Sequence, residues 1–150
     1  MAKALFVKTI DIAEYTALNG NVDVDKFKQF MWIAQELDIQ NYLGTDLYDK
    51  INDDIVAGTL AGNYLTLTNE YIKPMLIHFT MVQYLPWAAY TIANQGVFKH
   101  SSENSESVSK NEVDYLIDKE LSIAKHYAKR FTDYICFESA LYPEYNTNSN

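Results

Sequence analysis

Apolar residues recur at intervals of three or four along most of the chain, which is the spacing of one face of an α-helix. A short helix is predicted over residues 9–18. A second helix should begin after Asp23 or Asp25, both good N-caps, and end at Gly44. Its inner face has gaps of 3, 1, 3 and 3 residues: Phe27, Phe30, Met31, Ala34 and Leu37.

A third helix is predicted between two end signals. Thr45 suits its N-cap, and Gly58 follows its last turn. Its inner stripe consists of Leu47, Tyr48, Ile51 and Ile55. Residues 58–68, with two glycines, are then expected to form a loop.

A long central helix should follow, from Thr68 or Pro74 to about Asn94, with a kink near Pro86. The segment from Pro74 to Ala93 carries no formal charge over twenty residues, which is about the length of a membrane span. Its prolines, its polar residues and its scattered aromatic residues instead favour a buried helix of a folded domain.

The last helix is predicted from a capping box at Ser109 and Glu112, and it should end before Pro143. Its apolar residues have gaps of 4, 3, 4, 3 and 4, a heptad stripe suited to packing along another helix: Ile117, Leu121, Ala124, Ala128, Phe131 and Ile135. The Ser-rich residues 96–109 before it predict a mobile loop. The polar residues 142–150 after it predict a C-terminal arm that becomes ordered only in an assembly.

No segment alternates with period two for long enough to predict a strand. The predicted fold class is therefore all-α, a single domain over residues 1–150 built as a bundle of four to five helices. A chain of 150 residues is long enough for one core. A lone cysteine, Cys136, cannot form an internal disulfide, and the N-terminus has no apolar stretch of the length that a secretory signal needs.

The charge balance narrows the function classes further. Twelve Lys and Arg against twenty Asp and Glu give a net charge of −8 and a pI near 4.7. Nucleic-acid binding as the main activity is disfavoured, because neutralising phosphates needs a basic surface. Twelve tyrosines, a residue type enriched at interfaces, hint at a protein that contacts other proteins.

The acidic residues offer two candidates for chemistry. Asn21, Asp23 and Asp25 resemble the start of a calcium loop, but the required Gly and Glu are missing further on, so helix capping by the aspartates is favoured. Asp46, Asp49 and Asp53, with Asp54 beside them, share one face of the third helix. They are compatible with a metal or acid–base site, and the pattern favours a solvated acidic face.

The remaining titratable residues do not combine into a motif. His78 lies among apolar residues and predicts a core or interface histidine, whereas His100 and His126 are isolated. Cys136, at the end of the apolar stripe, is expected to act as a small hydrophobe. The cluster of Lys125, His126, Lys129 and Arg130 is either a docking patch for an acidic partner or phosphate or, as the pattern favours, a solvated outer face. No catalytic, cofactor-binding or metal residues are predicted.

Several stretches taken together resemble the head-to-tail connector proteins of tailed bacteriophages, and most closely the small ring (adaptor) proteins of crAss-like phages of gut Bacteroides. The similarity covers about residues 6–145. It is carried by residues 39–51 (IQNYLGTDLYDKI), 71–77, 86–90, 96–104 and 131–137.

The resemblance implies a structural protein of the virion neck, made in the host bacterial cytoplasm, with no enzymatic activity, no cofactor and no membrane partner. About twelve copies would form a ring below the portal protein, in contact with other connector and tail proteins. The genome would pass through the channel without specific binding, and an acidic wall would favour that passage. Possible interface positions are Ser102, Glu103, Asn104, Ser105, Tyr142 and Tyr145.

Two other functions are compatible with the residues alone. One is a small acidic binding module of the cytoplasm, such as an inhibitor that mimics DNA. The other is a small enzyme that uses Asp46, Asp49 and Asp53 with a metal. A ring needs two different surfaces of one subunit to meet, whereas a mimic needs only one acidic face.

Overall fold

The computed structural model describes residues 2–16, 27–88, 90–93, 96–99 and 110–147. Within these ranges the chain is an all-α bundle with one added β-hairpin, so the predicted fold class is confirmed. The α-helices are α1 (Thr9–Tyr15), α2 (Lys28–Ala34), α3 (Gln40–Leu43), α4 (Thr45–Ala57), α5 (Gly62–Leu67), α6 (Lys73–Ala88), α7 (Lys110–Phe137) and α8 (Pro143–Asn146). The strands are β1 (Tyr90–Ala93) and β2 (Gly96–Lys99), and 3₁₀ residues Ser139–Leu141 precede α8.

The second predicted helix is α2 and α3 joined by a π-helical turn, Gln35–Ile39. In this turn the backbone N–H of Gln40 donates to the carbonyl of Gln35, five residues back. The wider turn shifts the helical phase by one residue. Leu37 is consequently 58% exposed, against the prediction, and Gln35 and Ile39 are buried in its place.

The third predicted helix is confirmed as α4. Gly44 and Gly58 bound it with φ of 77° and 69°, conformations that a residue with a Cβ adopts only under strain. The start differs by one position, because Gly44 and not Thr45 is the N-cap. Of the predicted stripe, Leu47, Tyr48 and Ile51 are buried and Ile55 packs partly against the core.

The predicted loop over residues 58–68 is wrong beyond residue 61, because α5 begins at Gly62. A second π-helical turn, Thr68–Ile72, connects α5 to α6. Pro74 follows this turn after one residue, Lys73. A π turn is one of the ways in which a continuous helix accommodates a residue that lacks an N–H, because it relaxes the i−4 contact that the proline ring would violate.

The central helix ends six residues before the predicted Asn94. It continues for only two residues after Pro86, and the chain then forms the hairpin. Strands β1 and β2 are antiparallel, with Tyr90 opposite Lys99 and Ile92 opposite Val97. Three of the four residues of β1 and two of the four of β2 are aromatic or β-branched, which favours extended backbone after the proline. The hairpin also shortens the predicted mobile loop, because residues 96–99 belong to β2.

The remaining part of that loop, residues 100–109, lies outside the described residues, as do the predicted caps Asp23, Asp25 and Ser109. Within the described ranges no helix is both long and apolar enough to cross a membrane.

The longest helix, α7, packs along α6 through the predicted heptad stripe. Its residues Ala124, Ala128, Phe131 and Ile135 are buried, and Leu121 packs partly against the core. The buried residues of the second π turn and of α6 include Ile72, Met75, Leu76 and Phe79. The α6–α7 pair is therefore the frame on which the outer surfaces described below are built.

The N-terminal segment is extended and lies against two side-chain amides. Asn52 accepts a hydrogen bond from the N–H of Ala4 (2.9 Å) and donates to the carbonyl of Ala2 (3.0 Å). Gln35 accepts from the N–H of Phe6 and donates to the carbonyl of Ala4, both at 2.9 Å. The two amides, called the amide clamp below, satisfy backbone groups as a neighbouring strand would.

Candidate interaction surface

Two of the six predicted interface residues lie in the described part of the chain, and neither is free. The Tyr142 side chain is fully buried in its own subunit, and Tyr145 is half-buried with its ring 6.4 Å from that of Phe131. The interpretation of residues 142–150 as an arm that is unpacked in a single subunit is therefore wrong for residues 142–147. The other four positions, Ser102 to Ser105, lie outside the described residues.

Tyr142 is buried because residues of two helices, α5 and α7, surround it. Its hydroxyl donates to the carbonyl of Asn63 (3.0 Å) and shares a 2.9 Å hydrogen bond with the hydroxyl of Tyr134. The ring of Tyr64 meets it edge-on at 5.5 Å. Burial, and then the bond with Tyr134, raise the pKa of Tyr142. This cluster fastens the end of the chain to α5 and α7.

His78 lies at the seam between α6 and α7, as an interface histidine within the subunit. Its Nδ1 is 2.6 Å from a carboxylate oxygen of Glu120, and its ring stacks on Tyr127 at 5.5 Å. Both side chains are mostly shielded from solvent. His78 therefore packs between the two helices, in line with the prediction of a core or interface histidine.

Arg130 is held on the outside of the seam by two aromatic rings. Its guanidinium lies 5.5 Å from the ring centre of Tyr71 and 5.8 Å from that of Tyr127. Tyr71 in turn stacks on Tyr134 at 4.1 Å, with the planes 6° apart. Contacts of this kind orient an arginine without neutralising its charge.

The other basic residues of this cluster are also exposed. Lys125 and His126 lie on the outer face of α7, and Lys129 pairs with Asp133 at 2.6 Å in solvent. Neither Lys125 nor Arg130 has an ion-pair partner in the described ranges. The cluster, called the basic face below, consists of Lys125, His126, Lys129 and Arg130.

The predicted acidic stripe is present on α4. Asp46 and Asp53 are exposed and Asp49 is half-buried, whereas Asp54 is held by Lys50 at 2.9 Å. The described residues contain no group of three or more His, Cys, Asp or Glu that is arranged to hold a metal ion. Asp46, Asp49 and Asp53, called the acidic face below, form no ion pair within the described part of the chain, although the charge of Asp53 acts on Lys50 at longer range.

Large apolar side chains are exposed at both ends of α7. Phe137, in the last turn, is 86% exposed. Tyr115 and Leu116, in the first turns, are 69% and 45% exposed. The contacts between α6 and α7 show that these helices are antiparallel, so the exposed Trp87 at the end of α6 lies level with Tyr115 and Leu116. A group of exposed apolar side chains such as Trp87, Tyr115 and Leu116 is typical of an interaction surface, whereas single ones are ordinary on protein surfaces.

Cys136 differs from its prediction. It is exposed next to Phe137 and is not part of the buried stripe. The stripe instead ends at Ile135, because residues one position apart on a helix point about 100° from each other. A hydrogen bond connects Cys136 with Tyr145, whose pKa is raised first by burial.

The arrangement of residues around Arg130 is predictable only in part from the sequence. Tyr127, Arg130 and Tyr134 are spaced by three and four residues and therefore share one side of α7. Tyr71 comes from the π turn before α6, a tertiary contact that no spacing along the chain predicts. The exposed aromatic residues are also indistinguishable from core residues until the packing of the bundle is known.

The comparisons with known proteins identify a family but no activity. A model described as "Family of unknown function (DUF6712)" matches residues 39–150, which is more than half of the chain. No curated protein and no solved structure matches the chain. The matched region contains the acidic face, the basic face and both ends of α7.

Proposed function

The chain belongs to DUF6712, a family of unknown function, and from this premise we propose that it is a structural subunit that assembles with copies of itself into a ring. Following the resemblance of its sequence, the ring is a part of the head-to-tail connector of a tailed bacteriophage. It lies below the portal protein and surrounds the channel through which the genome passes. Its localisation is accordingly the neck of the virion.

The observation that carries this proposal is the separation of the exposed apolar side chains. Trp87, Tyr115 and Leu116 lie at one end of the α6–α7 pair, and Phe137 lies at the other, in a helix of 28 residues. At 1.5 Å per residue the two groups are about 30 Å apart. A head-to-tail, heterologous contact requires two different surfaces of one subunit, and such contacts form a ring when the rotation between subunits closes.

The net charge supports the same function. An excess of negative charge opposes the attraction of phosphates that would hold DNA in a channel. The basic face is small compared with this excess, since residues 125–133 contain three Lys or Arg and one Asp.

Native mass spectrometry and negative-stain electron microscopy of the purified full chain over a range of concentrations test the proposal. We expect closed rings of one defined order with a central channel. Phe137→Ser should reduce ring formation, because it removes an apolar anchor without touching the core. Val56→Ser is a matched control, since Val56 is also exposed but lies on α4.

Two results would overturn the proposal. One is a chain that stays monomeric at every concentration. The other is a chain that forms only two-fold dimers. A monomer that also displaces duplex DNA from DNA-binding proteins would support the alternative function, an acidic DNA mimic.

A further inference from the structure

We infer that the basic face of one subunit binds the acidic face of a second copy of the chain. The inference rests on the proposed self-assembly and names the surfaces that would meet. The basic face is on the C-terminal half of α7 and the acidic face is on α4, so the contact joins two different elements. It is independent of the apolar side chains that support the ring.

The side chains of the basic face are oriented to bind a carboxylate. Arg130 is oriented by Tyr71 and Tyr127, so little side-chain entropy remains to be lost on binding. A guanidinium that lies over aromatic rings keeps its in-plane N–H donors for a bidentate carboxylate. Lys125 adds a second cation that has no ion-pair partner in the described ranges.

The acidic face presents carboxylates at a matching spacing. Asp46 and Asp53 are separated by seven residues, or about 10 Å along the helix axis, and Lys125 and Arg130 by about 8 Å. Within the described residues, the polar contacts of Asp46 and Asp53 are with neutral groups, the hydroxyl of Thr147 and the amide of Asn52. Lys125 and Arg130 are about 140° apart around α7, so they flank its outer side as two separate cations, and each can meet one carboxylate on α4 of a second copy.

Charge complementarity also selects this partner. The chain carries −8 overall, so two copies repel each other in most orientations. The orientation that brings the basic face onto the acidic face replaces repulsion with attraction. The contact is thus expected to determine which surfaces meet as well as how strongly they bind.

A charge-swap experiment tests the pairing on the full chain. The first variant, K125E/R130E, reverses the basic face, and the second, D46K/D53K, reverses the two exposed carboxylates of the acidic face. Each should weaken self-association by about tenfold or more, as measured by analytical ultracentrifugation at low salt. The chain that carries all four substitutions should recover most of the wild-type association, since each face again meets its opposite charge.

Lys119→Glu is the matched control, because Lys119 is exposed on α7 outside the basic face. Circular dichroism checks that every variant stays helical. Assembly that is unchanged in both reversed variants, or no recovery in the chain with four substitutions, overturns the inference. A short duplex DNA that binds the wild type but not K125E/R130E, with assembly unchanged, would overturn it in favour of a nucleic-acid partner.

The outcomes separate this inference from the proposed function. Rings that form irrespective of these charges overturn the pairing alone. Charge-dependent dimers without rings overturn the ring alone, and a chain that never self-associates overturns both.

Discussion

The phenol of Tyr64 donates a 2.6 Å hydrogen bond to the carboxylate of Glu144, 80 residues further along the chain. Tyr64 lies in α5 and Glu144 in α8, so this bond links the middle of the fold to its C-terminal end. Lys50 of α4 lies 5.1 Å from the ring centre of Tyr64 and adds a cation on its other side. Burial, followed by the bond to Glu144, raises the pKa of Tyr64 to about 12.

Tyr64→Phe should lower the free energy of unfolding by about 1 kcal/mol at pH 7, because Glu144 loses its donor. The difference between wild type and variant should shrink as the pH rises from 10 to 12. In that window the unfolded wild-type chain releases the Tyr64 proton while the folded chain retains it, so stability falls with rising pH. Urea denaturation at pH 7, 9, 10 and 11 measures this difference. Tyr115→Phe, at an exposed position, should change nothing.

The C-terminal residues up to Thr147 should contribute to the stability of a single subunit. A chain that ends at Leu141 loses the fully buried Tyr142 and should be destabilised by about 3–5 kcal/mol. A chain that ends at Thr147 should differ from wild type by less than about 0.5 kcal/mol.

Hydrogen exchange of the free subunit gives a second measurement of the same region. The amides of Tyr142, Tyr145 and Thr147 donate to backbone carbonyls and should be protected. If they exchange as fast as an unfolded peptide, residues 142–147 are an arm after all and the truncation at Leu141 should be harmless.

Helix ends and the longest apolar stripe are predictable because they depend on local chemistry. Gly44 and Gly58 end or begin helices where a positive φ is needed, and the stripe of α7 follows a spacing that never changes phase. The spacing rule fails at Leu37, where the π turn inserts one residue and rotates all later positions. No residue type in that turn distinguishes it from an ordinary α-helical turn. The sequence therefore does not show that Ile39 is buried in place of Leu37.

Composition misled the prediction at the C-terminus for a different reason. The polar residues around Pro143 are typical of an unpacked tail. The burial of one residue, Tyr142, nevertheless packs this segment against the fold. The hydroxyl of Tyr142 bonds to Tyr134, eight residues earlier, and to the carbonyl of Asn63, 79 residues earlier. Such pairings are tertiary and carry no periodic signal.

Asp38, in the first π turn, should oppose folding at neutral pH. One of its carboxylate oxygens is buried without a hydrogen-bond partner in the described ranges. This burial raises the pKa of Asp38 above its ordinary value of 3.8, although a hydrogen bond with Gln83 acts in the opposite direction. As the pH rises above 3.8 the unfolded chain releases the proton first, so the ionisation of Asp38 lowers the stability of the folded state.

Asp38→Asn should therefore be more stable than wild type at pH 7, and its advantage should disappear below about pH 3.8. Denaturant titrations at pH 3, 5 and 7 measure the difference. Asp118→Asn, at an exposed position on α7, is the control that corrects for the change in net charge. An advantage of the same size at pH 3 would show that the effect is not the ionisation of Asp38.

The amide clamp should hold the N-terminal segment through Gln35. This side chain is fully buried, and its amide group contacts Phe6 N–H, the carbonyl of Ala4 and the hydroxyl of Tyr48. Gln35→Leu keeps most of the volume but leaves buried polar groups without a partner, which should cost about 2–4 kcal/mol. Gln29→Leu, exposed on α2, should cost less than about 0.5 kcal/mol.

Gln35→Glu separates the hydrogen bonds from the volume. A carboxylate can still accept from Phe6 N–H but cannot donate to the carbonyl of Ala4, and it places a charge in the core. Burial of that charge makes the variant least stable at neutral pH, and acidification should recover part of the loss, since the protonated carboxyl regains one donor. Hydrogen exchange of the Phe6 amide should rise in both Gln35 variants and stay slow in Gln29→Leu. A Phe6 amide that stays equally protected in Gln35→Leu would mean that apolar packing of Phe6 and Val7, and not the amide clamp, holds the segment in place.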